Sequence, residues 1–433
     1  MKIGVVSLGC AKNLIDTQKA LSFLKASGHQ FVADPALADA IIVNTCGFIL
    51  DAKVEAINTI LEMAEHKQSG CQYLIVMGCM VQRYREELEK EIPEVDLWIS
   101  LDEYGHLEDI FNDFFHTETI CAPEILLATA PYTAYLRIAD GCSHRCAFCA
   151  IPLIRGNYRS EKMEDLLAEA EKLKQLGVRE LNLIAQDTTF YGRELYGRFM
   201  LHELLKQLDA MDFHWIRILY MYPDEIYDEL LETIANSKHI VPYFDIPSQH
   251  GADGVLRRMY RRGSKDLFRK NVGRIREMFK DPVLRTTVIT GFPGETDEDF
   301  RELMEFTREM QWDRLGCFAY SLEENTPAYA MPDRVPQETA MARRDELMTL
   351  QQQISRNIAQ KYVGRRLEVL VERGRTIVDP YYRGRGYMNA PDDVDGAIFF
   401  KASRTLEPGE FVEVEITEAR DYDLYGKLAR EEE

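Results

Sequence analysis

Gly141-Cys142-Ser143-His144-Arg145-Cys146-Ala147-Phe148-Cys149 sets three thiols in a Cys-x3-Cys-x2-Cys spacing. Three thiolates this close can ligate three irons of a cubane cluster, for which cysteine is the usual protein ligand. A cubane has four corners, so three ligands leave one iron open to a cofactor or substrate. Structural zinc is the competing reading, with His144 or a distant residue as fourth ligand. Zinc more often shows Cys-x2-Cys pairs and wants a closed set of four. The strand-like Tyr135–Ile138 stands just ahead of the thiols and repeated β/α alternation follows them. That order places the thiols at the mouth of the first β/α loop of a barrel, where barrel active sites lie.

The alternation continues for more than 200 residues. Helical periodicity covers Met163–Leu176, Met200–Leu208, Asp224–Ala235 and Asp297–Glu309, and strand-like runs fall at Glu180–Ile184, Trp215–Leu219, Leu284–Ile289 and Leu315–Ala319. A complete or partial (β/α) barrel over residues 131–361 is the expectation, closed by a polar helix at Arg343–Lys361. Before it, residues 1–120 alternate Ile/Val-rich runs (Ile3–Ser7, Ala40–Asn44, Tyr73–Met77) with amphipathic stretches near Thr17–Ala26, Ala52–His66 and Arg83–Glu91. This predicts an open parallel α/β sheet, which binds ligands beyond its carboxyl edge. After it, residues 362–433 change to short strands at Arg365–Glu372, Ala397–Lys401, Phe411–Thr417 and Leu424–Leu428. A small antiparallel β-barrel is expected there.

The same carboxyl edge carries a second set of thiols. Cys10, Cys46 and Cys79 each follow one of the three N-terminal strands, after the small-residue turns Leu8-Gly9, Asn44-Thr45 and Met77-Gly78. Adjacent strands are about 5 Å apart, so three strand-end loops can converge on one cluster. A single such cysteine reads as a small buried hydrophobe; three in equivalent places read as a second cluster site. Cys71, Cys121 and Cys317 lack that placement and are expected to be structural.

The 433 residues suit two or three domains and an ordinary soluble balance, with 46% hydrophobic and 29% charged residues. No basic leader precedes an apolar run and no stretch is long enough to span a bilayer, so a cytoplasmic protein is expected. Nine cysteines without a secretory context are not a disulfide scaffold. The net charge of −20 argues against a broad nucleic-acid surface and suits a basic protein partner.

Cys142, Cys146 and Cys149, with Phe148 between the last two, resemble the defining motif of the radical S-adenosylmethionine (SAM) superfamily. The full arrangement resembles the methylthiotransferase family, in which a three-cysteine domain precedes a radical SAM core and a TRAM domain. Gly9-Cys10-Ala11-Lys12-Asn13-Leu14-Ile15-Asp16, Asn44-Thr45-Cys46-Gly47-Phe48-Ile49, Tyr135–Cys142, Ile184–Gly192 and Gln249-His250 are similar to the branch that modifies ribosomal protein uS12. In Arg155-Gly156-Asn157-Tyr158-Arg159-Ser160-Glu161, Glu161 stands where the family commonly has arginine.

The resemblance implies two 4Fe-4S clusters, on Cys10, Cys46 and Cys79 and on Cys142, Cys146 and Cys149. It implies SAM as methyl donor and radical source, and the β-carbon of an aspartate in uS12, free or in the small subunit, as target. A flavodoxin- or ferredoxin-type electron donor, a sulfur donor and a monomeric chain go with it. Phe148, Gln186, Asp187, Gly291 and Gly294 are the candidate SAM contacts. Arg383, Arg385 and Tyr387, in Tyr381–Tyr387, are candidate substrate contacts, because aromatics interleaved with arginines can stack on and neutralise nucleic acid. Asp392, Asp393, Asp395 and the acidic tail Glu431–Glu433 favour a basic protein instead. The alternatives are a tRNA methylthiotransferase and a non-catalytic, metal-stabilised ribosome-binding protein.

Overall fold

The computed structural model describes residues 1–376 and 378–429, so the tail Glu431–Glu433 lies outside the described residues. In the first part the Ile/Val-rich runs become buried parallel strands, and the amphipathic stretches become helices covering them. The order is β1 (Lys2–Ser7), α1 (Ala11–Ala26), β2 (Gln30–Val32), β3 (Ala40–Thr45), α2 (Leu50–Glu65), β4 (Tyr73–Gly78), α3 (Cys79–Glu91), β5 (Leu97–Ile99) and α4 (Leu107–Phe115). All pairings are parallel, in the order β2-β1-β3-β4-β5. The winding direction reverses between β1 and β3, and such a switch point opens a crevice at the strands' carboxyl ends.

The chain continues through β6 (Thr133–Arg137), β7 (Ala139–Asp140), α5 (Ile151–Ile154), β8 (Arg159–Ser160), α6 (Met163–Gln175) and β9 (Glu180–Ile184). Next come α7 (Leu201–Asp209), β10 (Trp215–Ile218), α8 (Asp228–Asn236), β11 (Tyr243–Asp245), α9 (Asp253–Arg258) and α10 (Lys265–Met278). It ends with β12 (Val283–Thr290), α11 (Asp297–Met310), β13 (Arg314–Ala319) and α12 (Gln337–Ala359). Two three-stranded parallel sets, β6-β9-β10 and β11-β12-β13, meet at a parallel bridge between Ile216 and Ile240. The result is an open arc, the partial barrel expected. Its outer core packs Leu136, Leu181 and Ile216 against Leu166, Leu204, Leu230 and Leu303 of the helices.

The last unit, β14 (Arg366–Arg373), β15 (Tyr382–Arg385), β16 (Ile398–Lys401), β17 (Phe411–Ala419) and β18 (Leu424–Leu428), closes in the order β14-β15-β16-β18-β17. Its pairs are antiparallel except β16 with β18. It plugs the arc with charge. Arg385 Nη2 lies 2.5 Å from Glu180 Oε2 at the start of β9, and Arg217 Nη2 of β10 lies 3.2 Å from Glu180 Oε1. Arg217 also donates to the Tyr387 carbonyl oxygen at 2.8 Å, and Tyr243 Oη meets Asp395 Oδ2 at 2.5 Å. Burial alone would raise the Glu180 pKa, but Arg385 and Arg217 pull it from 4.5 down to about 2.

Two predictions concern this plug. Arg385→Leu leaves buried Glu180 with Arg217 and the Thr133 hydroxyl, and the chain loses about 3 kcal/mol of stability in urea unfolding near neutral pH. Because the folded pKa of Glu180 lies below its ordinary value, the pairing contributes in full above about pH 4.5 and is lost as pH falls toward 2. The stability gap between wild type and variant therefore narrows across that acid range.

Candidate active site

Three strands end at one edge of the N-terminal sheet, and a thiol follows each: Cys10 after β1, Cys46 after β3 and Cys79 after β4. Gly9 (φ +90°) and Gly78 (φ +109°) make the turns, in a backbone region that side chains disfavour. A Cβ on Gly9 would stand 2.9 Å from the Cys46 Cβ, and one on Gly78 would collide with Asn44. Cys10 is the N-cap of α1 and Cys79 opens α3, so two helix N-termini favour negative charge there. Burial pushes the Cys79 thiol up to about 12 against Arg155, with Cys46 and Cys10 adding to the rise. The three thiols thus share one charge neighbourhood. Cys79 is buried, Cys46 half-buried and Cys10 exposed, and thiols held together in this way fit a group that binds thiolates and displaces their protons.

The other set lies between β7 and α5. Burial raises Cys142 to about 12 and Cys149 further, with Cys146 adding to each rise. Cys146 Sγ is 3.5 Å from Tyr222 Oη and 3.8 Å from Arg261 Nη1. Arg261 lies over the Tyr222 ring at 3.7 Å, and the His144 ring stacks on that ring at 3.7 Å and 13°. Asp187 fixes the stack: its Oδ2 is 2.5 Å from His144 Nε2, while its Oδ1 accepts from Thr189 N and Oγ1. Burial, then Asp187, push the Glu225 carboxyl well above its ordinary range. His144, Asp187 and Glu225 come within 4.8 Å of one another. Asp187 holds His144 Nε2, while Glu225 Oε2 is buried with no hydrogen-bond partner among the described residues. Three thiols with a cation alongside match the donor set of an open cubane.

Arg155, just past α5, ties the two sets together. Its Nη2 is 2.8 Å from Asn13 Oδ1, 2.8 Å from Asp16 Oδ2 and 3.6 Å from Cys79 Sγ, and its Nη1 is 3.3 Å from both Asp140 oxygens. Asp16 Oδ1 also takes Arg137 Nη1 at 2.6 Å. Sequence reading quoted Arg155 and Asp16 only as parts of motifs. Their signal is an acid and an amide at helical spacing directly after Cys10, with a lone arginine after the other thiols. A cavity of about 380 Å³ opens beside Cys10, walled by Tyr135, Tyr220 and Arg285 of the barrel and by Ala390–Val394 of the last unit.

The other sequence-predicted residues divide. Phe148 packs in an apolar wall with Ala147 and Phe292. Gln186 Nε2 donates to Asp140 Oδ1 at 3.3 Å while its Oε1 is buried with no donor, which suits a ligand ammonium. Asp187 has no such vacancy; it positions His144. A side chain on Gly291 would collide with Ala340 of α12, and one on Gly294 would press on Arg258, so each glycine permits a close approach of backbone. The candidate substrate contacts also find partners within the chain. Arg385 is buried on Glu180 and Glu372, Arg383 pairs with Asp393, and Tyr387 Oη donates to the Asp281 carbonyl. Carboxylates of the chain itself already neutralise both arginines.

Residues 2–100 match the Uncharacterized protein family UPF0004, residues 136–307 the Radical SAM superfamily and residues 363–428 the TRAM domain. A ribosomal protein uS12 methylthiotransferase RimO from Acetivibrio thermocellus is 43% identical, covering 99% of each chain. One from Aquifex aeolicus is 46% identical, covering 99% of this chain and 97% of its own. The chain belongs to the RimO family. The radical SAM methyltransferase TsrM from Kitasatospora setae shares the fold at a TM-score of 0.56 and 12% identity, covering 84% of this chain and 78% of its own. Membership in the RimO family brings the radical SAM superfamily's cofactors, SAM and a 4Fe-4S cluster, to a site whose thiols fit them. No helix among the described residues is long and apolar enough to cross a membrane.

The support beneath Cys146 has a measurable consequence. Asp187→Ala frees the His144 ring and weakens iron retention at the radical SAM site about 10- to 100-fold in chelator competition, as loss of an outer-shell partner does.

Proposed function

We propose that this chain places a methylthio group on the β-carbon of an aspartate in ribosomal protein uS12. One observation carries the reading: Cys79 of the N-terminal set packs with Ala150, the residue after Cys149, and Arg155 reaches from the barrel to the Cys79 sulfur. Full-length similarity to uS12 methylthiotransferases supports the substrate. Cys142, Cys146 and Cys149 would hold one 4Fe-4S cluster, and Cys10, Cys46 and Cys79 a second. Bound there with SAM, these groups supply reductive SAM cleavage, a methyl group and the transferred sulfur.

The chain's own residues do the rest. Arg261 and Tyr222 set a cation and a hydroxyl against Cys146. Gln186 Oε1 offers an acceptor to the SAM ammonium, and Phe148 an apolar wall. Ala390, Pro391, Asp392 and Val394 of the last unit wall the cavity beside Cys10. Residues 1–120, 131–361 and 362–433 act as the sulfur-bearing, radical and covering units. An electron donor of the flavodoxin or ferredoxin type and a sulfur donor complete the system in the cytoplasm, where uS12 is met free or in the small subunit by a monomer. Arg385 turned inward leaves the tRNA alternative without the basic surface that favoured it.

Intact-mass analysis of uS12 tests this, after anaerobic incubation with reconstituted enzyme, SAM, sulfide and reductant. Wild type adds one methylthio group. Replacing Cys10, Cys46 and Cys79 by alanine removes about half the iron and abolishes the addition while SAM cleavage continues. Replacing Cys142, Cys146 and Cys149 abolishes both. Methylthiolation by the first variant, or modification of tRNA in place of uS12, contradicts the proposal.

A further inference from the structure

Arg261 is a buried guanidinium, 8% exposed, with no carboxylate paired to it among the described residues. Its Nη2 donates to the Pro247 carbonyl oxygen at 2.5 Å, and its Nε is buried without an acceptor. Its Nη1 meets a sulfur, Cys146 Sγ, at 3.8 Å. Asp187, the carboxylate of this neighbourhood, is engaged by His144. His144 and Arg261 each lie 3.7 Å from the centre of the Tyr222 ring, so they take its opposite faces. Burying a guanidinium is costly unless its donors and its charge are answered. The anion that answers here is the thiolate of Cys146.

The local fold aims the arginine at that sulfur. The turn after α9 holds Tyr260 in a left-handed conformation (φ +54°), and the Arg261 amide donates to the Leu256 carbonyl oxygen at 2.9 Å. From the same turn the Met259 carbonyl oxygen accepts the Ala147 amide at 2.8 Å, which ties the arginine to the thiol loop one residue from Cys146. Tyr222 is fixed through its amide, which donates to Thr189 Oγ1 at 2.9 Å, and its Oη lies 3.5 Å from Cys146 Sγ. A thiolate carries no proton, so the hydroxyl is the donor once Cys146 is ionised. Cys146 and Tyr222 are buried with Arg261, and in such a water-poor core electrostatic contacts are at their strongest.

We propose that Arg261, assisted by Tyr222, sets the reduction potential of the iron–sulfur cluster at Cys142, Cys146 and Cys149. The inference rests on the reading that these three thiols hold the radical-site cluster. Reduction by one electron makes a cluster and its thiolates more negative by one charge. A fixed cation and an O–H donor at a ligating sulfur stabilise that form and raise the potential. A weaker reductant of the flavodoxin or ferredoxin type then suffices as electron donor. The arginine at the N-terminal thiols is Arg155, so the effect of Arg261 is confined to one cluster.

Reductive titration of the reconstituted holoenzyme without SAM, followed by electron paramagnetic resonance, measures the two cluster potentials. The wave missing when Cys142, Cys146 and Cys149 are replaced by alanine belongs to the radical site. In Arg261→Met with the iron content of wild type, that wave moves to lower potential. The move is about tenfold in the ratio of reduced to oxidised cluster, or about 59 mV for one electron. Tyr222→Phe moves it the same way by less, Arg261→Lys stays closer to wild type than Arg261→Met, and the other wave holds still in all three. A radical-site wave unmoved or raised in iron-replete Arg261→Met overturns the proposal, as does an equal shift of both waves, which marks a general disturbance. If Arg261→Met fails to load iron, Tyr222→Phe decides, and a wild-type potential there overturns the proposal. Equal iron in wild type and in the Cys142, Cys146 and Cys149 variant overturns the parent cluster reading. Two intact waves without methylthiolation of uS12 overturn the uS12 reading alone.

Discussion

The buried guanidinium of Arg155 is the contact on which the arrangement of the two thiol sets depends. It leaves the barrel just past one set of thiols and ends among Asn13, Asp16 and Cys79 of the other. Burying an arginine is costly unless its donors are filled, and here an amide, two carboxylates and a sulfur fill them. The planar fork suits that work better than an ammonium, because several acceptors lie around it at fixed angles. Asp16 carries Arg137 as well, so one carboxylate of α1 holds two arginines of the barrel. A shift of the N-terminal sheet against the barrel would break this network, along with the pairs of Lys53 and Arg83 with Glu323.

Around that contact the fold supplies edges. A parallel sheet brings all its strand ends to one side, and the winding switch between β1 and β3 opens that side to a ligand. The arc of the barrel presents its own carboxyl ends to the same region. The last unit then closes the arc with Arg385, Asp392 and Asp395, which reach Glu180, Tyr135 and Tyr243 of the barrel strands. Its charges therefore serve the junction, and the cavity beside Cys10 owes its wall to all three units.

Much of this was legible in the sequence because the signals are local. Runs such as Ala40–Asn44 and Tyr73–Met77 are apolar and β-branched enough to read as buried strands, and the two thiol patterns stand at their ends. Other features depend on distant partners. Tyr381–Tyr387 reads as a nucleic-acid surface because Glu180, the carboxylate that draws Arg385 inward, is 205 residues away. Arg155 finds Asp16 across 139 residues. The helices α1 and α3 begin earlier than predicted, at Ala11 and Cys79. Cys79-Met80-Val81 continues the apolar run of β4, and only the glycine turn at Gly78 separates strand from helix. The three-residue strand β11 is too short for periodicity to reveal. Spacing marked Asp187 and Gly291 as positions, but not their contacts with His144 and Ala340, since spacing does not tell which way a side chain or a tight turn faces.

The central claim is that two clusters face each other across one junction, and their magnetic interaction tests it most directly. Electron paramagnetic resonance of the fully reduced, reconstituted protein should be compared with spectra of the two alanine-triad variants, each holding one cluster. Two paramagnets held this close broaden and split one another's signals, so the wild-type spectrum should differ from the sum of the two single-cluster spectra. A wild-type spectrum that equals that sum would place the clusters too far apart to share a substrate and would contradict the account.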